Sequence, residues 1–340
     1  MRRILVTGGA GFIGSNFIRM LLGRAGEDRI VCLDALTYAG NRDNLEGLES
    51  TGRFRFIHGD IRDAGCVQES LQGITHVVHF AAESHVDRSI VSGDEFLSTN
   101  VAGTHVLLTG AREAGVERFV HIGTDEVYGS VEPPHTTDEE APLRPTNPYS
   151  ASKAAADHLA LAHHRTYGLD VCITRCGNNY GPYQFPEKLF ALSIVRLLND
   201  EPVPVYGDGR NVRDWVFVED HCRGVELVLD RGRAGGVYNL GSRCGRQNLE
   251  ILRAILARLG KPEELLQPVA DRPGHDRRYA VDPAKAEEEL GFRAEVSLDE
   301  GIRRTVDWYR EHESWWRKVL QRTAKDRKHW LEEPGRTPSS

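Results

Sequence analysis

Residues 3–14 read Arg-Ile-Leu-Val-Thr-Gly-Gly-Ala-Gly-Phe-Ile-Gly, a short apolar run that leads directly into a glycine-rich turn. An apolar pattern with helical spacing follows over residues 12–22. Glycines between a strand and a helix allow a tight turn and let backbone N–H groups approach a pyrophosphate at the positive end of the helix. Because Gly8, Gly11 and Gly14 stand in this context, the sequence predicts a dinucleotide-binding turn.

A carboxylate ends the second apolar run at Asp34, where it can accept hydrogen bonds from the hydroxyls of an adenosine ribose. A 2′-phosphate would be repelled at that point, so the sequence favours NAD over NADP. The alternative for Asp34 is a solvated loop carboxylate. Asp60 and Ile61, after the third apolar run, are expected to cover the adenine.

Apolar runs and helical patterns alternate through the first half of the chain. The predicted strands are residues 3–7, 29–34, 54–58, 76–80, 118–123 and 171–174, and the predicted helices between the first five are 12–22 and 94–114. A further helix is predicted to begin at Asn147 as N-cap, with Pro148 in its first turn, and to end at Gly168. This alternation predicts an α/β fold with a Rossmann-type, doubly wound parallel sheet.

The texture changes near residue 177. Residues 1–176 are expected to form the NAD-binding domain, with some later segments returning to it, and residues 177–322 mainly a smaller α/β lobe. Short strands at 203–206 and 237–239 mix there with helices at 189–198, 249–259 and 299–311. The polar residues 323–340 are expected to form a flexible tail.

Composition excludes several classes of protein. The 340 residues carry a net charge of -7 without a basic block, which argues against a nucleic-acid binder. Six scattered cysteines without a C-x-x-C pair argue against a zinc or disulfide framework and fit a reducing compartment. No segment has the apolar length to span a membrane, and no histidine spacing indicates a metal site. A cytoplasmic protein is expected.

Tyr149-Ser-Ala-Ser-Lys153 places a phenol and an ammonium four residues apart, on one face of the predicted helix. A neighbouring ammonium and the positive nicotinamide ring of oxidised cofactor would stabilise a phenolate, whose pKa is otherwise about 10. Tyr149 is therefore a candidate general base, with Lys153 also holding the nicotinamide ribose. Thr124, after the fifth apolar run, can bond the same substrate hydroxyl. The alternative is a surface helix with an ordinary tyrosine and lysine.

Asp125 and Glu126 follow Thr124 directly. Consecutive residues in a strand point to opposite faces, so both carboxyls can address one substrate only if the strand has ended. Two carboxyls in one pocket do not ionise equally, which would supply an acid and a base at one pH. An isolated Asp-Glu pair is usually solvated, and its position beside Thr124 gives it weight.

Several ordered segments resemble the signature segments of dTDP-glucose 4,6-dehydratases, which are extended short-chain dehydrogenase/reductases. The resemblance runs from Met1 to about Lys318 and departs from the pattern at Gly123 and Gly177, where serine is usual. The segments are Ala81-Ala-Glu-Ser-His-Val-Asp-Arg-Ser89, Thr124-Asp-Glu-Val-Tyr-Gly129, Tyr149-Ser-Ala-Ser-Lys153, Asn178-Asn-Tyr-Gly-Pro-Tyr-Gln-Phe-Pro-Glu-Lys-Leu189, Arg213-Asp-Trp-Val-Phe-Val-Glu-Asp-His221 and Arg272-Pro-Gly-His-Asp-Arg-Arg-Tyr279.

The resemblance implies a three-step reaction on dTDP-glucose. Tyr149 would take the proton of the C4 hydroxyl while hydride leaves C4 for NAD. The C4 ketone would acidify the C5 hydrogen, which Glu126 would remove while Asp125 protonates the departing C6 hydroxyl. Return of the hydride to C6 and of a proton to C5 would give the 4-keto-6-deoxy sugar and restore NAD.

The resemblance also implies binding residues, a thymidine rather than a uridine nucleotide, and a homodimer formed by helices around residues 100–114 and 149–167. NAD would be lined, beside the residues above, by Phe12, Ile13, Ala35, Leu36, Thr37, Phe80, Ala81, Ala82, Thr99 and Asn179. The nucleotide sugar would be bound, with Thr124, by Ser84, Asn178, Glu187, Lys188, Leu189, Pro204, Val205, Tyr206, Arg213, Asn248, Arg272 and His275. Arg213 and Lys188 suit a diphosphate. The alternative for these charged residues is a salt bridge between lobes.

Two other functions remain open. A nucleotide-sugar 4-epimerase would share the fold, NAD and the Tyr149/Lys153 pair, but it needs no acid–base couple such as Asp125 and Glu126. A redox-sensing binding protein would keep the nucleotide fold without performing chemistry, and such a protein would be expected to lose the Tyr/Lys pair.

Overall fold

A computed structural model of the chain describes residues 1–323. Its strands, in chain order, are β1 Arg3–Thr7, β2 Arg29–Asp34, β3 Phe54–His58, β4 His76–His79, β5 Arg118–Ile122, β6 Val171–Cys176, β7 Asn178–Tyr180, β8 Val203–Tyr206, β9 Val212–Phe217, β10 Val237–Leu240, β11 Gly245–Gln247 and β12 Leu266–Val269. Its α-helices are α1 Phe12–Leu22, α2 Ala64–Ser70, α3 Val86–Val91, α4 Gly93–Phe96, α5 Thr104–Glu113, α6 Pro148–Tyr167, α7 Leu189–Leu198, α8 Val218–Arg231, α9 Asn248–Leu259, α10 Ala284–Leu290, α11 Leu298–Glu311 and α12 Glu313–Arg322.

Seven strands form one parallel sheet in the order β10-β6-β5-β4-β1-β2-β3. In this order β1 pairs on one side with β2 and on the other with β4, so that Val6 lies opposite both Cys32 and Val78. The chain reverses its direction of travel across the sheet at β1 and β4, and ligands bind outside the carboxyl ends of the strands at such a point. The predicted Rossmann-type fold is confirmed.

The sheet is buried on both faces because its strands are almost continuously apolar. Ile4 and Val6 pack on one face with Phe17 of α1, and Leu5, between them, packs on the other face with Leu107 of α5. This alternation follows from the two-residue period of a strand. Rigid layers on both sides therefore fix the strand ends that carry the candidate site.

A second core lies in the C-terminal part of the chain, around Tyr180, Phe190 and Trp215, with helices α7, α9, α11 and α12 packed around it. A three-stranded sheet β11-β9-β7 and a two-stranded sheet β12-β8 belong to this region. Strand β10 follows several of these elements in sequence but pairs in parallel with β6, in the central sheet. The domain boundary at residue 177 stays a prediction.

Helix α6 begins and ends where the sequence predicts. The Asn147 side chain accepts a hydrogen bond from the Ser150 N–H, Pro148 occupies the first turn, and Gly168 ends the helix with a φ of 72°. Other bounds differ by one or two residues: β4 ends at His79, β5 at Ile122, β6 at Cys176 and β10 at Leu240, and α9 and α11 begin at Asn248 and Leu298.

The single helix predicted for residues 94–114 is wrong. The structure has α4, then a π-helical segment Leu97–Gly103, then α5. Asn100 lies in the widened segment, and its buried amide bonds both the N–H and the carbonyl of Glu83 as well as the Ser152 hydroxyl. A polar side chain held from three directions accounts for the irregular turn, and such turns are frequent at functional sites.

The predicted tail falls outside the described residues except for Thr323. That residue is buried at the end of α12, and its hydroxyl donates to the Val319 carbonyl. Its packing corrects the expectation that the flexible part begins at residue 323. Within residues 1–323 no helix combines the length and apolarity needed to cross a membrane.

Candidate active site

A cavity of about 510 Å³ opens where the central strands end. Its walls include the glycine turn after β1, Asp34 at the end of β2, Phe80 after β4 and the segment 122–126 after β5. The opposite wall comes from the smaller lobe, with Arg213 of β9 and the loop that holds Arg272. The cavity is therefore lined both by residues predicted to bind NAD and by residues predicted to bind the nucleotide sugar.

Most of the predicted cofactor residues line one part of this cavity. They are Gly8, Gly11, Phe12, Ile13, Gly14, Asp34, Ala35, Thr37, Asp60, Ile61, Phe80, Ala81, Ala82, Thr99 and Asn179. Of the predicted residues, Leu36 lies outside this lining, and its side chain packs against the core that includes residues of α1. Its backbone N–H still contributes, because it donates to Asp34 Oδ1 at 2.8 Å.

The glycine turn has the geometry that a bound dinucleotide requires. Gly8 has a φ of 68°, and a side chain there would place Cβ 2.6 Å from the Ala81 nitrogen. Gly11 stands at the N-cap of α1, whose first turn receives no side-chain cap from the described residues. The unmet N–H groups of a helix start favour an anion, so these residues fit the pyrophosphate of NAD.

Asp34 is a buried carboxylate rather than a solvated one, with 7% of the residue exposed. Oδ2 accepts a hydrogen bond from the Ala10 N–H at 2.9 Å, in the middle of the glycine turn, and Oδ1 accepts from Leu36. Burial raises its pKa above the usual range for an aspartate. Each oxygen keeps a second lone pair with which it could accept a ribose hydroxyl.

Tyr149 and Lys153 lie on the same face of α6, both buried and both in the cavity wall. Lys153 Nζ donates to the Ile122 carbonyl at 2.6 Å, and burial lowers its pKa to about 8. The sequence predicts a lowered pKa for the phenol, but the pKa of Tyr149 is raised, first by burial and then by the charge of Glu126. A hydrogen bond with Thr124 acts in the opposite direction.

A fully buried network supports Lys153 from below, and sequence reasoning missed it. Asp157 Oδ2 accepts from Arg175 Nε at 2.9 Å, and Oδ1 lies 3.4 Å from His121 Nε2. The Asp157 carboxylate raises the pKa of Lys153 against the larger effect of burial. The sequence could have indicated Asp157, because residues 149, 153 and 157 are spaced four apart and therefore lie on one face of the helix.

Asp125 and Glu126 both line the cavity because β5 ends before them. Thr124 is the N-cap of a short 3₁₀ helix, Asp125–Tyr128, and accepts a hydrogen bond from the Glu126 N–H. Asp125 is 3% exposed, and its Oδ2 has no hydrogen-bond partner among the described residues. Burial, followed by repulsion from Glu126, raises its pKa well above the usual value. Asp125 thus has the properties of a proton donor.

The predicted substrate residues also line the cavity, with one exception, and most of them lie on the wall opposite the glycine turn. Those that line the cavity are Ser84, Thr124, Asn178, Glu187, Lys188, Leu189, Pro204, Tyr206, Arg213, Asn248, Arg272 and His275. Val205 does not, because alternate residues of β8 point to opposite sides and its side chain packs in the second core. The substrate-binding role predicted for Val205 stays a prediction.

The cations of this wall are already bonded to protein groups. Arg272 Nη1 lies 2.5 Å from Asp87 Oδ1, while Arg213 donates to the carbonyls of Val212 and Asp276. Lys188 Nζ donates to the Ser84 carbonyl at 2.7 Å. The salt bridge that the sequence left open as an alternative is thus present at Arg272, whose Nε still has no partner among residues 1–323.

Sequence reasoning also missed cavity residues that it treated as ordinary. His221, to which sequence reasoning assigned no role, lines the cavity, with Nδ1 3.0 Å from Asn179 Oδ1. Tyr38, which sequence reasoning did not single out, also lines the cavity and donates to Glu187 Oε1 at 3.1 Å. Burial raises the pKa of Glu187 to about 7. The signal for His221 was its place in the quoted segment 213–221.

Gly123 and Gly177, the departures from the family pattern, both lie against backbone. A Cβ at Gly123 would stand 2.8 Å from the Thr174 carbonyl oxygen, and one at Gly177 would stand 2.6 Å from that of Asp214. A serine at either position would therefore require the neighbouring strand to move.

Comparison with known proteins gives consistent matches over most of the chain. The sequence model of the family described as GDP-mannose 4,6 dehydratase matches residues 5–305. A dTDP-glucose 4,6-dehydratase of Streptomyces griseus is 52% identical, over 93% of this chain and 97% of that protein.

Solved structures agree with these sequence matches. A dTDP-glucose 4,6-dehydratase of Streptomyces venezuelae, crystallised with NAD and dTDP bound, is similar at a TM-score of 0.91 and 54% identity, over 93% of this chain and 99% of that one. A UDP-glucose 4-epimerase of Thermus thermophilus in complex with NAD gives a TM-score of 0.85 at 36% identity, over 91% and 99%. The chain is therefore a member of the nucleotide-sugar 4,6-dehydratase family, within the extended short-chain dehydrogenase/reductases.

Proposed function

We propose that this protein is an NAD-dependent dTDP-glucose 4,6-dehydratase, which converts dTDP-D-glucose to dTDP-4-keto-6-deoxy-D-glucose and water. The observation that carries the proposal is the meeting of two pairs in one cavity wall, Tyr149 with Lys153 and Asp125 with Glu126. The names of the similar proteins support the same substrate and cofactor.

The glycine turn and Asp34 would hold NAD, which would supply the acceptor for the C4 hydride and its return to C6, so that no second substrate would be consumed. Tyr149 takes the C4 hydroxyl proton in the first step, with the Thr124 hydroxyl beside it. Because burial raises the pKa of Tyr149, the phenolate depends on positive charge close by. Lys153, held by the Ile122 carbonyl, is the protein's source of that charge.

Elimination follows once C4 is a ketone, because a carbonyl acidifies the hydrogen on the adjacent C5. Glu126 removes this proton, and Asp125 gives its proton to the C6 hydroxyl, which leaves as water. Burial raises the pKa of Asp125 and so favours the protonated form that this task requires. Glu126 then returns a proton to C5. The proton that Tyr149 gained balances the one that Asp125 lost, and solvent equalises the two.

A 4-epimerase is the nearest competing function, since the fold and the Tyr/Lys pair are compatible with it. Epimerisation inverts C4 and needs no group that attacks C5 or protonates C6. The buried position of Asp125 inside the cavity, with an oxygen that has no hydrogen-bond partner within residues 1–323, is what favours dehydration.

The test is incubation of the purified protein with dTDP-, UDP- and GDP-glucose. A 4-keto product, detected by its strong absorbance in alkali, is expected with dTDP-glucose. Formation of a 4-epimer without the alkali-absorbing product, or activity with UDP-glucose alone, would contradict the proposal.

We further propose that the protein is a cytoplasmic homodimer. All six cysteines are free thiols, which fits a reducing compartment. The large exposed hydrophobic side chains of the described residues include Val91, Leu97 and Tyr167, at or near the helices predicted to pair. Sedimentation of the full chain tests the dimer, and a monomer at micromolar concentration would refute it.

A further inference from the structure

The C-terminal helix α12 lies against the segment that follows β2. Trp315 Nε1 donates to Asn44 Oδ1 at 2.8 Å, and Lys318 Nζ lies 3.5 Å from Asp43 Oδ2. Arg322 Nη2 donates to the Tyr38 carbonyl at 3.4 Å. Residues 315, 318 and 322 share one face of a helix, so α12 presents a single side to residues 38–44.

The contact with Asn44 continues into the glycine turn. Asn44 Nδ2 donates to the Ala10 carbonyl at 2.9 Å, and the Ala10 N–H donates to Asp34 Oδ2 at 2.9 Å. An indole N–H can only donate, so Asn44 must turn its oxygen to Trp315 and its amide nitrogen to Ala10. Asn44 is 1% exposed and Ala10 is fully buried. The chain of bonds is therefore directional and shielded from water.

The hydrogen bonds from α12 through Asn44 reach the middle of the glycine turn. Ala10 stands between Gly9 and Gly11, in the turn whose backbone approaches the cofactor. The Ala10 carbonyl accepts a second hydrogen bond, from the Asn41 N–H at 3.0 Å. Asn41 and Asn44 therefore both bond to the same carbonyl oxygen of the turn. Trp315, which holds the Asn44 side chain in this position, lies 271 residues later in the chain.

We propose that α12 positions the glycine turn for NAD through the relay Trp315–Asn44–Ala10, so that Trp315 and Asn44 are positioning residues for cofactor retention. The proposal rests on the proposed function, because it takes NAD as the ligand of the turn. Neither side chain needs to touch the cofactor. Loss of the indole bond frees the Asn44 amide to turn away from the Ala10 carbonyl, which then keeps only its bond from the Asn41 N–H, and this loosens the turn.

Trp316 provides a matched control on the same helix. Its ring is buried, and its Nε1 donates to the Tyr309 carbonyl at 2.9 Å, within the second core and away from the glycine turn. Trp315→Phe and Trp316→Phe each remove one buried indole bond and a similar volume. Both variants are expected to lower thermal stability, so stability alone does not separate them.

The first readout is the rate at which full-length holoenzyme exchanges its NAD for labelled NAD. Trp315→Phe should raise this rate roughly 3- to 10-fold, the value of one buried hydrogen bond, and Trp316→Phe should leave it within about twofold of the parent. Equal rates in the two variants would overturn the proposal.

The second readout does not require NAD. Hydrogen–deuterium exchange of residues 8–14 and 38–44 in NAD-free protein should rise in Trp315→Phe and stay at the parent level in Trp316→Phe. If the parent binds no NAD, the proposed function fails while this exchange pattern still decides the relay. If Trp315→Phe does not fold, the double variant Lys318→Met/Arg322→Met, whose side chains are exposed, should raise exchange over residues 38–44, and unchanged exchange there would refute the positioning role.

Discussion

The two walls of the cavity are built differently. On the cofactor side, neighbouring strand ends and helix α6 carry the functional groups, and backbone atoms hold them: Lys153 by the Ile122 carbonyl and Asp34 by two N–H groups. On the substrate side, separate segments of chain deliver cations that already have partners, such as Arg272 with Asp87. If the proposed function holds, the first wall keeps its contacts during the chemistry, whereas the second would exchange protein contacts for a diphosphate. Changes in the first should therefore alter turnover, and changes in the second should alter substrate affinity.

The largest effect is expected on the cofactor side, at Tyr149. Tyr149→Phe removes the group that takes the C4 proton and should lower kcat about 10³-fold, with a small change in KM. Product formation measured by alkali absorbance gives both constants. Tyr167→Phe, an exposed tyrosine of the same helix, is the control and should behave like the parent. A kcat for Tyr149→Phe within tenfold of the parent would remove the basis for separating the walls.

Arg272 tests the substrate side. Arg272→Met should raise KM for the nucleotide sugar about 10- to 100-fold, the value of a charge-assisted hydrogen bond, and leave kcat within about threefold. Arg277→Met is the control, because the exposed side chain of Arg277 pairs on the surface with Asp208. If Arg272→Met instead lowers kcat at constant KM, the arginine belongs functionally to the other wall.

Asp34 tests the cofactor side without changing the chemistry. Asp34→Asn removes the charge that opposes a 2′-phosphate and keeps one oxygen for a backbone N–H, so the preference for NAD over NADP should fall about tenfold. The two dissociation constants, measured by titration, give the ratio. An unchanged ratio would mean that the Asp34 carboxylate only holds the Ala10 and Leu36 N–H groups.

The smallest effect concerns pH and stability on both walls. Burial lowers the pKa of His221, on the cofactor side, to about 3 and that of His275, on the substrate side, to about 4. The unfolded chain binds a proton at each as pH falls below about 6.5, while the fold does not, so the free energy of unfolding should decrease from pH 6.5 towards pH 4.

Replacing His221 should weaken this dependence. His221→Gln should flatten it by up to about 1.4 kcal/mol per pH unit, and His275→Gln by a smaller amount, in urea unfolding at several pH values. His135→Gln, an exposed position, is the control. An unaltered pH slope in His221→Gln would show that this imidazole is protonated within the fold.

Sequence reasoning succeeded where function follows chain order. The glycine turn, Asp34 and the Tyr149/Lys153 helix each depend on neighbours within one strand–turn–helix unit, so their local pattern fixes their geometry. The end of β5 before Asp125 also follows from the need for both carboxyls to face one pocket. The order of the strands in the sheet adds only which of these strand–turn–helix units lie side by side.

What escaped prediction depends on contacts between distant segments. The pKa of Tyr149 is raised first by burial and then by the charge of Glu126, and burial is a property of the assembled fold. Asp157 is held by a hydrogen bond from Arg175, on β6. Val205 lies on the side of β8 that faces the second core, whereas its neighbours Pro204 and Tyr206 line the cavity. Asn100 widens its helix because it bonds to Glu83, on the loop after β4. No local pattern encodes these partners.

The most direct test of the proposed chemistry follows the C5 hydrogen. During turnover of dTDP-glucose in deuterated water, the parent protein is predicted to place deuterium at C5, whereas Glu126→Gln should still oxidise C4, seen as NADH absorbance in a single turnover, without exchange at C5. Normal deuterium incorporation at C5 by Glu126→Gln would contradict the assignment of Glu126 as the base and, with it, the acid–base pair on which dehydration depends.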